Sequence, residues 1–194
     1  MARQTKTEGD PVHMPSIGDY MVALAAWLRT TPLPEFALWL QKTPTSSFIA
    51  KNFYVIPVLQ VIHILCVASL FGAVLMINLR MFMLAGRSRT MTQVVQRYLP
   101  WVWYPLAILL VTGVLMAVGE PPRDLTNPAF WTKMVLVVVA TLASLAFSQS
   151  VTRNVAAWEM THERRVAIRV GAAGSIVLWL TIMVLGRWIA YAPT

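Results

Sequence analysis

The chain has 194 residues, of which 57% are hydrophobic and only 12% are charged. A soluble globular domain carries about 25% charged residues, so this composition excludes that class and indicates a membrane protein. The net charge is +8, but the basic residues cluster beside apolar runs and form no nucleic-acid-binding motif. We therefore expect the lipid bilayer, and not nucleic acid, as the main partner.

The N-terminal part of the chain has no apolar run long enough to cross a bilayer. Residues 1–16 are polar and contain Pro and Gly, which predicts a disordered tail. Apolar residues then recur at helical spacing over 17–28. Thr-Pro pairs start two further short helices, near 33–42 and 45–51, because proline fits the first helical turn. Residues 17–52 are thus predicted to form amphipathic helices that lie in the membrane interface.

Four long apolar runs follow, and each meets the requirement of about 20 residues for crossing a bilayer. They span 53–79, 101–118, 128–150 and 170–191. Prolines are expected in the first turn of three of these helices, at Pro57, Pro105 and Pro128. The sequence predicts an all-α integral membrane four-helix bundle over residues 53–192, preceded by short interfacial helices.

The distribution of arginines predicts the orientation of the bundle. The loop after the first span holds four arginines and no acid, and the loop after the third holds four arginines against two glutamates. The loop after the second span holds one arginine against Glu120 and Asp124. Arginine-rich loops face the cytoplasm, so both termini are predicted to be periplasmic. Five basic residues in the N-terminal segment oppose this orientation.

Several motifs along the chain resemble those of a known protein family. They are Leu40-Gln41-Lys42-Thr43-Pro44, the stretch from Pro57 through His63 to Gly72, Asn78-Leu79-Arg80, Leu99-Pro100-Trp101-Val102-Trp103, Thr112-Gly113, Glu120-Pro121, Asn127-Pro128-Ala129-Phe130 with Lys133, and Gly186-Arg187-Trp188-Ile189-Ala190-Tyr191. With them the chain resembles, over roughly residues 35–192, an uncharacterised family of small bacterial four-helix inner-membrane proteins with a domain of unknown function. The resemblance implies a multi-pass protein of the bacterial inner membrane and supplies no activity.

The chain departs from that family at two places. The resemblance implies Asp where this chain has Asn78, and a histidine near the inner end of the third span, where it has Ser148-Gln149-Ser150. If that histidine is a metal or haem ligand in the family, this chain lacks it. A looser likeness to copper-resistance membrane proteins rests on His63 and Gly72, nine residues apart in one apolar helix.

His63 is the only histidine in a predicted span, since His13 and His162 lie in polar segments. Its depth is roughly 15 Å from the outer end of the first span. Gln60 and Cys66, three residues to either side, share its helical face. A buried histidine is either a functional group or a hydrogen-bonding partner of a neighbouring helix.

Other polar residues fall in the same outer half of the predicted bundle, and ionisable groups in spans suggest function. The ordinary alternatives are snorkelling for Lys133 and Arg187, and a salt bridge to one of these two for Glu120. The predicted ligand or cofactor site consists of His63, Gln60, Glu120, Lys133, Arg187 and Tyr191, with His63 as a candidate metal ligand.

Three functions stay open. The cluster could bind or transport a small anion or a metal ion, copper being suggested by His63 and eleven methionines. The chain could be a subunit of a redox complex that binds haem b or quinone, with a partner subunit or a second copy. It could also be an accessory subunit that packs through its small residues at 171–175. Known enzyme motifs are absent, so catalysis by this chain alone is not expected.

Overall fold

The computed structural model describes residues 16–85, 88–153 and 162–189. Within these ranges the chain is helical and contains no strand. The helices are α1 (Ile17–Thr30), α2 (Leu33–Gln41), α3 (Pro44–Lys51), α4 (Val55–Met81), α5 (Met91–Tyr98), α6 (Pro100–Gly119), α7 (Pro121–Leu125), α8 (Pro128–Arg153) and α9 (His162–Trp188). The predicted tail lies outside the described residues except for Ser16, as does Tyr191.

Four helices, α4, α6, α8 and α9, are long and apolar enough to cross a membrane. Their outward surfaces carry large apolar side chains such as Ile64, Leu110, Val138 and Val177, which suits contact with lipid. The predicted all-α fold with four spans is confirmed, and the chain is a multi-pass membrane protein.

Two of the three prolines predicted to lie in the first turn of a span do so, and one does not. Pro57 lies in the first turn of α4 and Pro128 opens α8. The prediction for Pro105 was wrong: α6 already begins at Pro100, so Pro105 lies inside the helix. There it cannot donate a hydrogen bond to the carbonyl four residues earlier, which loosens α6 near one end.

The packing of the spans is uneven. α4 packs most extensively on α6 and also contacts α9, while α8 packs on α9. A shared core joins all four helices through buried residues including Leu70, Val102, Ala140 and Trp179. Between the described parts of α6 and α8, however, no two Cα atoms come within 8 Å. The bundle is therefore close-packed along α4 and α9 and open between its two flanking helices.

Short helices cover the two ends of the bundle. At the end we call the α7 end, α2 packs against α7 and α3 against α6. The predicted helices of the N-terminal segment are confirmed as α1, α2 and α3. Their exposed aromatic residues include Trp27 and Trp39, each 61% exposed, which suits headgroup contact. That they lie in the interface stays a prediction.

The opposite end, the α5 end, contains a helix that was not predicted. Thr90 caps α5 and forms a capping box with Gln93, the usual signal for a helix start. Buried Val94 and Val95 pack against Ile77 of α4 and Val151 of α8. α5 thus closes the bundle where the arginine-rich loop returns to α6.

Candidate functional site

His63 lies on the ninth position of α4, about 12 Å along the helix from its start at the α7 end. Its Nδ1 atom is 2.8 Å from Oγ1 of Thr112 on α6. Thr112 is only 4% exposed. A Cβ at Gly113 would lie 3.7 Å from Cε1 of His63, an ordinary contact distance, so the imidazole lies against α6 at this glycine. The ring is therefore fixed against α6 through two adjacent residues.

The partners of Thr112 determine which nitrogen of His63 carries the proton. The Thr112 hydroxyl is 2.8 Å from the carbonyl oxygen of Ile108 in its own helix. That carbonyl can only accept, so the hydroxyl donates to it and accepts from the Nδ1–H of His63. Nε2 then carries the free lone pair of the neutral ring. Among the residues that the structure describes, Nε2 has no hydrogen-bond partner.

Lys133 lies five residues into α8, about 8 Å from the α7 end of the span. Its Nζ reaches α9, where a Cβ at Gly186 would lie 3.4 Å away. The charge of Lys133 acts on both His63 and Asp124. Within the described ranges, however, its ammonium has no hydrogen bond and no carboxylate within 4 Å. The structure thus places a partly buried, unpaired cation in the same half of the bundle as His63.

Asp124 of α7 is the carboxyl whose charge acts on this cation. Burial raises the pKa of Asp124 from 3.8 to about 6; the charge of Arg123 opposes the rise, Glu120 adds to it and Lys133 opposes it. The carboxyl therefore changes its charge close to neutral pH. Its ionisation alters the electrostatic potential at Lys133 without forming a direct ion pair.

The other predicted site residues do not gather around His63. Glu120 forms its salt bridge with Arg123, so its predicted pairing with Lys133 or Arg187 was wrong, because the turn into α7 brings Arg123 closer. Gln60 and Arg187 are exposed, and Gln60 makes no hydrogen bond within the described residues. Tyr191 lies outside the described residues. The role of all six residues in a site stays a prediction.

The surroundings of His63 bear on the metal and haem hypotheses. In the described part of the chain, no three His, Cys, Asp or Glu side chains come together as a metal site. The residues fixed against the imidazole are Thr112 and Gly113, and neither is a haem ligand. The described residues that contact His63 thus add no second metal or haem ligand.

Four residues of this cluster were not predicted as site residues from the sequence. Thr112 and Gly113 are part of an apolar run, and only the packing of α6 on α4 brings them to His63. From the sequence, Asp124 was considered only as an acidic residue of the loop after the second span. Gly186 matters because it has no side chain, a property that becomes visible only with Lys133 in place. The motifs of the resemblance include Thr112, Gly113 and Gly186, but no local sequence signal assigns these positions to a site.

The comparison with known protein families assigns the chain to one of them. The model of DUF6644, a family of unknown function, matches residues 38–192. The chain belongs to this family. DUF6644 membership confirms the predicted resemblance to a family without an assigned activity, and the match starts within α2 and includes all four spans. No curated protein and no solved structure matches the chain. Bacterial origin and the likeness to copper-resistance proteins stay predictions.

Proposed function

We propose that this DUF6644 protein binds a small weak-acid anion, of the carboxylate class, together with a proton at Lys133 and His63. The observation that carries the proposal is the ammonium of Lys133, which lies inside a membrane span without an ion-pair or hydrogen-bond partner among the described residues. An anion supplied from outside the chain would be that partner.

The cost of leaving Lys133 unpaired supports an anionic ligand. A lysine near the centre of a span costs about 3 kcal/mol on insertion scales, and less toward the interface. The side chain of Lys133 extends to Gly186 of α9, two residues before the end of that helix at the α7 end. The ammonium thus lies toward the aqueous end of the span, as in snorkelling, and meets no carboxylate of the described residues there. An anion that enters from the α7 end would reach it at this position.

His63 supplies the proton-accepting part of the proposed site. Its Nδ1–H is engaged with Thr112, so Nε2 is available to accept a proton or a hydrogen bond. A weak acid can offer both groups that this site lacks: an oxygen that accepts from Lys133 and a proton for His63. A strong-acid anion such as chloride satisfies only Lys133. We therefore expect selectivity for anions that can carry a proton.

The carboxyl of Asp124 competes with a bound anion, because both place a negative charge near Lys133. When its carboxyl is ionised, its negative charge opposes a second negative charge near Lys133. Because the pKa of Asp124 is raised to about 6, lowering the pH through that value removes the competing charge. Anion affinity should therefore increase as the medium is acidified.

Anion binding can be measured as stabilisation of the purified protein in lipid nanodiscs. We expect sodium acetate to raise the melting temperature more than sodium chloride at equal ionic strength. At ten times the dissociation constant the stabilisation is about 1.4 kcal/mol. Lys133→Met should abolish the acetate-specific increase because it removes the cation. Lys51→Met removes an exposed lysine of α3 at the same end of the bundle, and should leave the increase unchanged.

Three results would contradict the proposal. Acetate and chloride could stabilise the wild-type protein equally, or Lys133→Met could keep the acetate-specific increase. Equal loss in Lys51→Met would show that the effect depends on overall charge and not on one site.

The two other functions suggested by the sequence stay predictions that the same preparation can examine. An absorption spectrum and a metal analysis of the purified protein identify bound haem b or copper. Copurification of another membrane subunit, or of a second copy of the chain, would favour the accessory role. The small residues at 171–175 pack only in part, because Ala172 is buried while Gly171 has no neighbour within 4 Å of a Cβ.

The proposal also includes the location of the protein and its orientation in the membrane. We place the protein in the inner membrane with its α7 end toward the periplasm, because the arginine-rich loops adjoin the α5 end. Lys133 and His63 would then be reached from the periplasmic side. Catalysis by this chain alone is not part of the proposal.

A further inference from the structure

A cavity of about 540 Å³ lies inside the bundle toward the α5 end, where α6 and α8 do not meet. All four spans contribute to its wall, which is mostly apolar and includes the aromatic residues Phe147 and Trp179. Asn78 on α4 is three residues from the α5 end of the helix. The cavity is therefore some 20 Å along α4 from His63, and is a separate feature from the proposed anion site.

Asn78 is the main polar group in the cavity wall and is only 3% exposed. Its Nδ2 donates to Oγ of Ser175 on α9 at 3.5 Å, which is the long limit for a hydrogen bond. Its Oδ1 accepts no hydrogen bond from any described residue. A buried amide can make four hydrogen bonds, so most of the capacity of Asn78 is unused inside a membrane span.

Ser175 differs from five other hydroxyl residues of the spans. Those five donate to carbonyls of their own helices, at Thr112, Thr132, Ser144, Ser148 and Thr181. The Ser175 hydroxyl makes no such bond in the described structure and accepts from Asn78 instead. Asn78 and Ser175 therefore present unused N–H and O–H donors at one place in the cavity wall. A ligand that satisfies them must supply an acceptor oxygen.

Water alone suits this cavity poorly. At about 30 Å³ per molecule, the cavity would hold well over ten waters, and each ordered water needs two to four polar partners. The wall offers few: Asn78, Ser144, Ser150 and Ser175. No charged side chain lines the cavity in the described residues, which disfavours an ionic ligand. Cavities of this size with apolar, aromatic walls and a few convergent polar groups are typical ligand sites.

We infer that the cavity binds a neutral, lipid-soluble carbonyl compound of the quinone class. Its carbonyl oxygen accepts from Asn78 and Ser175, and its ring and tail lie among the apolar residues of α8 and α9. No redox step is part of this inference. It concerns a different ligand and a different half of the bundle from the anion site, so either can fail without the other.

Titration with decylubiquinone, followed by quenching of tryptophan fluorescence, tests the inference, because Trp179 lies in the cavity wall. We expect saturable binding at one site per chain. Asn78→Leu keeps the size of the side chain and removes its donors, and should weaken binding roughly tenfold, as expected for loss of a buried hydrogen bond. Ser175→Ala should weaken binding in the same direction.

A pair of glycines on α9 provides matched size variants. Gly171 lines the cavity and Gly174 does not, yet a Cβ at either would meet no atom within 4 Å. Gly171→Phe should abolish saturable quinone binding by filling the cavity, while Gly174→Phe should bind as the wild type does. Equal melting temperatures of the two variants show that the difference is not a folding defect.

Several outcomes would overturn the inference. They are an absence of saturable quinone binding to the wild-type protein, equal binding by the two phenylalanine variants, and unchanged affinity in Asn78→Leu. Mass spectrometry of an organic extract of the purified protein provides a further test. Recovery of a phospholipid that is lost from Gly171→Phe, with no quinone binding, would identify the occupant as lipid and reject the quinone class.

Discussion

Replacing Gly186 with leucine should weaken acetate binding by tenfold or more, although no charged group is removed. A Cβ at this position lies 3.4 Å from Nζ of Lys133, which is an ordinary contact. The further carbons of leucine need the space that the ammonium now occupies, so Lys133 must turn away from α9. Loss of one charge-assisted hydrogen bond of about 1.5–3 kcal/mol corresponds to a tenfold or larger change in affinity.

Gly186→Ala is the control for this variant, because its single methyl group fits at 3.4 Å. It should bind acetate within about twofold of the wild type, as expected for a methyl group that adds no more than an ordinary contact. The dissociation constant of each variant can be measured from the dependence of the melting temperature on acetate concentration. If Gly186→Leu retains wild-type affinity, Nζ is not held at α9 when the anion binds.

Replacing Gly119 should cause the largest loss of stability. A Cβ there would lie 2.7 Å from Cδ1 of Ile56 and 2.8 Å from Cγ2 of Ile49, which is too short for any real contact. The end of α6 approaches α3 and α4 at this glycine, so the side chains of both isoleucines must shift to make room for the added methyl group. We expect Gly119→Ala to lower the free energy of unfolding by about 1–3 kcal/mol, and Gly119→Leu to lower it further.

Gly174→Ala is the matched control in another span. A Cβ at Gly174 meets nothing within 4 Å, so alanine there should be neutral or stabilising by up to about 1 kcal/mol, because glycine disfavours a helix interior. The unfolding midpoint in denaturant should thus fall in Gly119→Ala and stay level or rise in Gly174→Ala. Ile56→Val together with Gly119→Ala should recover part of the loss, since it removes the Cδ1 atom that clashes. Equal shifts for Gly119→Ala and Gly174→Ala would show that α6 does not approach α3 and α4 this closely.

The sequence predicted those parts of the fold that depend on local patterns. Runs of about 20 apolar residues identified α4, α6, α8 and α9. Helical spacing and Thr-Pro pairs identified α1, α2 and α3, whose bounds agree with the prediction to within two residues. The capping box at Thr90 and Gln93 also marked α5, but a polar segment between two spans was read as a loop.

The site and the cavity could not be predicted because they depend on how helices far apart in sequence pack together. The contact of His63 with Thr112 joins residues 49 positions apart. The pairing of Glu120 with Arg123 depends on the turn into α7, which removes Glu120 from the cations of α8 and α9. The cavity exists because α6 and α8 remain apart, and no property of either helix alone indicates that separation.

The difference between the two halves of the bundle follows from the same packing. At the α7 end, Nε2 of His63 and Nζ of Lys133 have no hydrogen-bond partner among the described residues. At the α5 end, Asn78 and Ser175 are neutral and border an apolar cavity. A cation and a free imidazole nitrogen favour a small polar anion, whereas neutral donors in an apolar cavity favour a lipid-soluble acceptor. On these two proposals, one DUF6644 chain has sites of opposite chemical character.

The most direct test of the central claim is a nitrogen NMR spectrum of protein that carries ring-¹⁵N-labelled histidine in nanodiscs. The chain has three histidines, so His13 and His162 serve as controls in the same sample. We predict that neutral His63 carries its proton on Nδ1, and that sodium acetate shifts the Nε2 signal of His63 alone. In Lys133→Met that shift should disappear. A proton on Nε2 without acetate, or a shift that persists in Lys133→Met, would contradict a shared anion and proton site at His63 and Lys133.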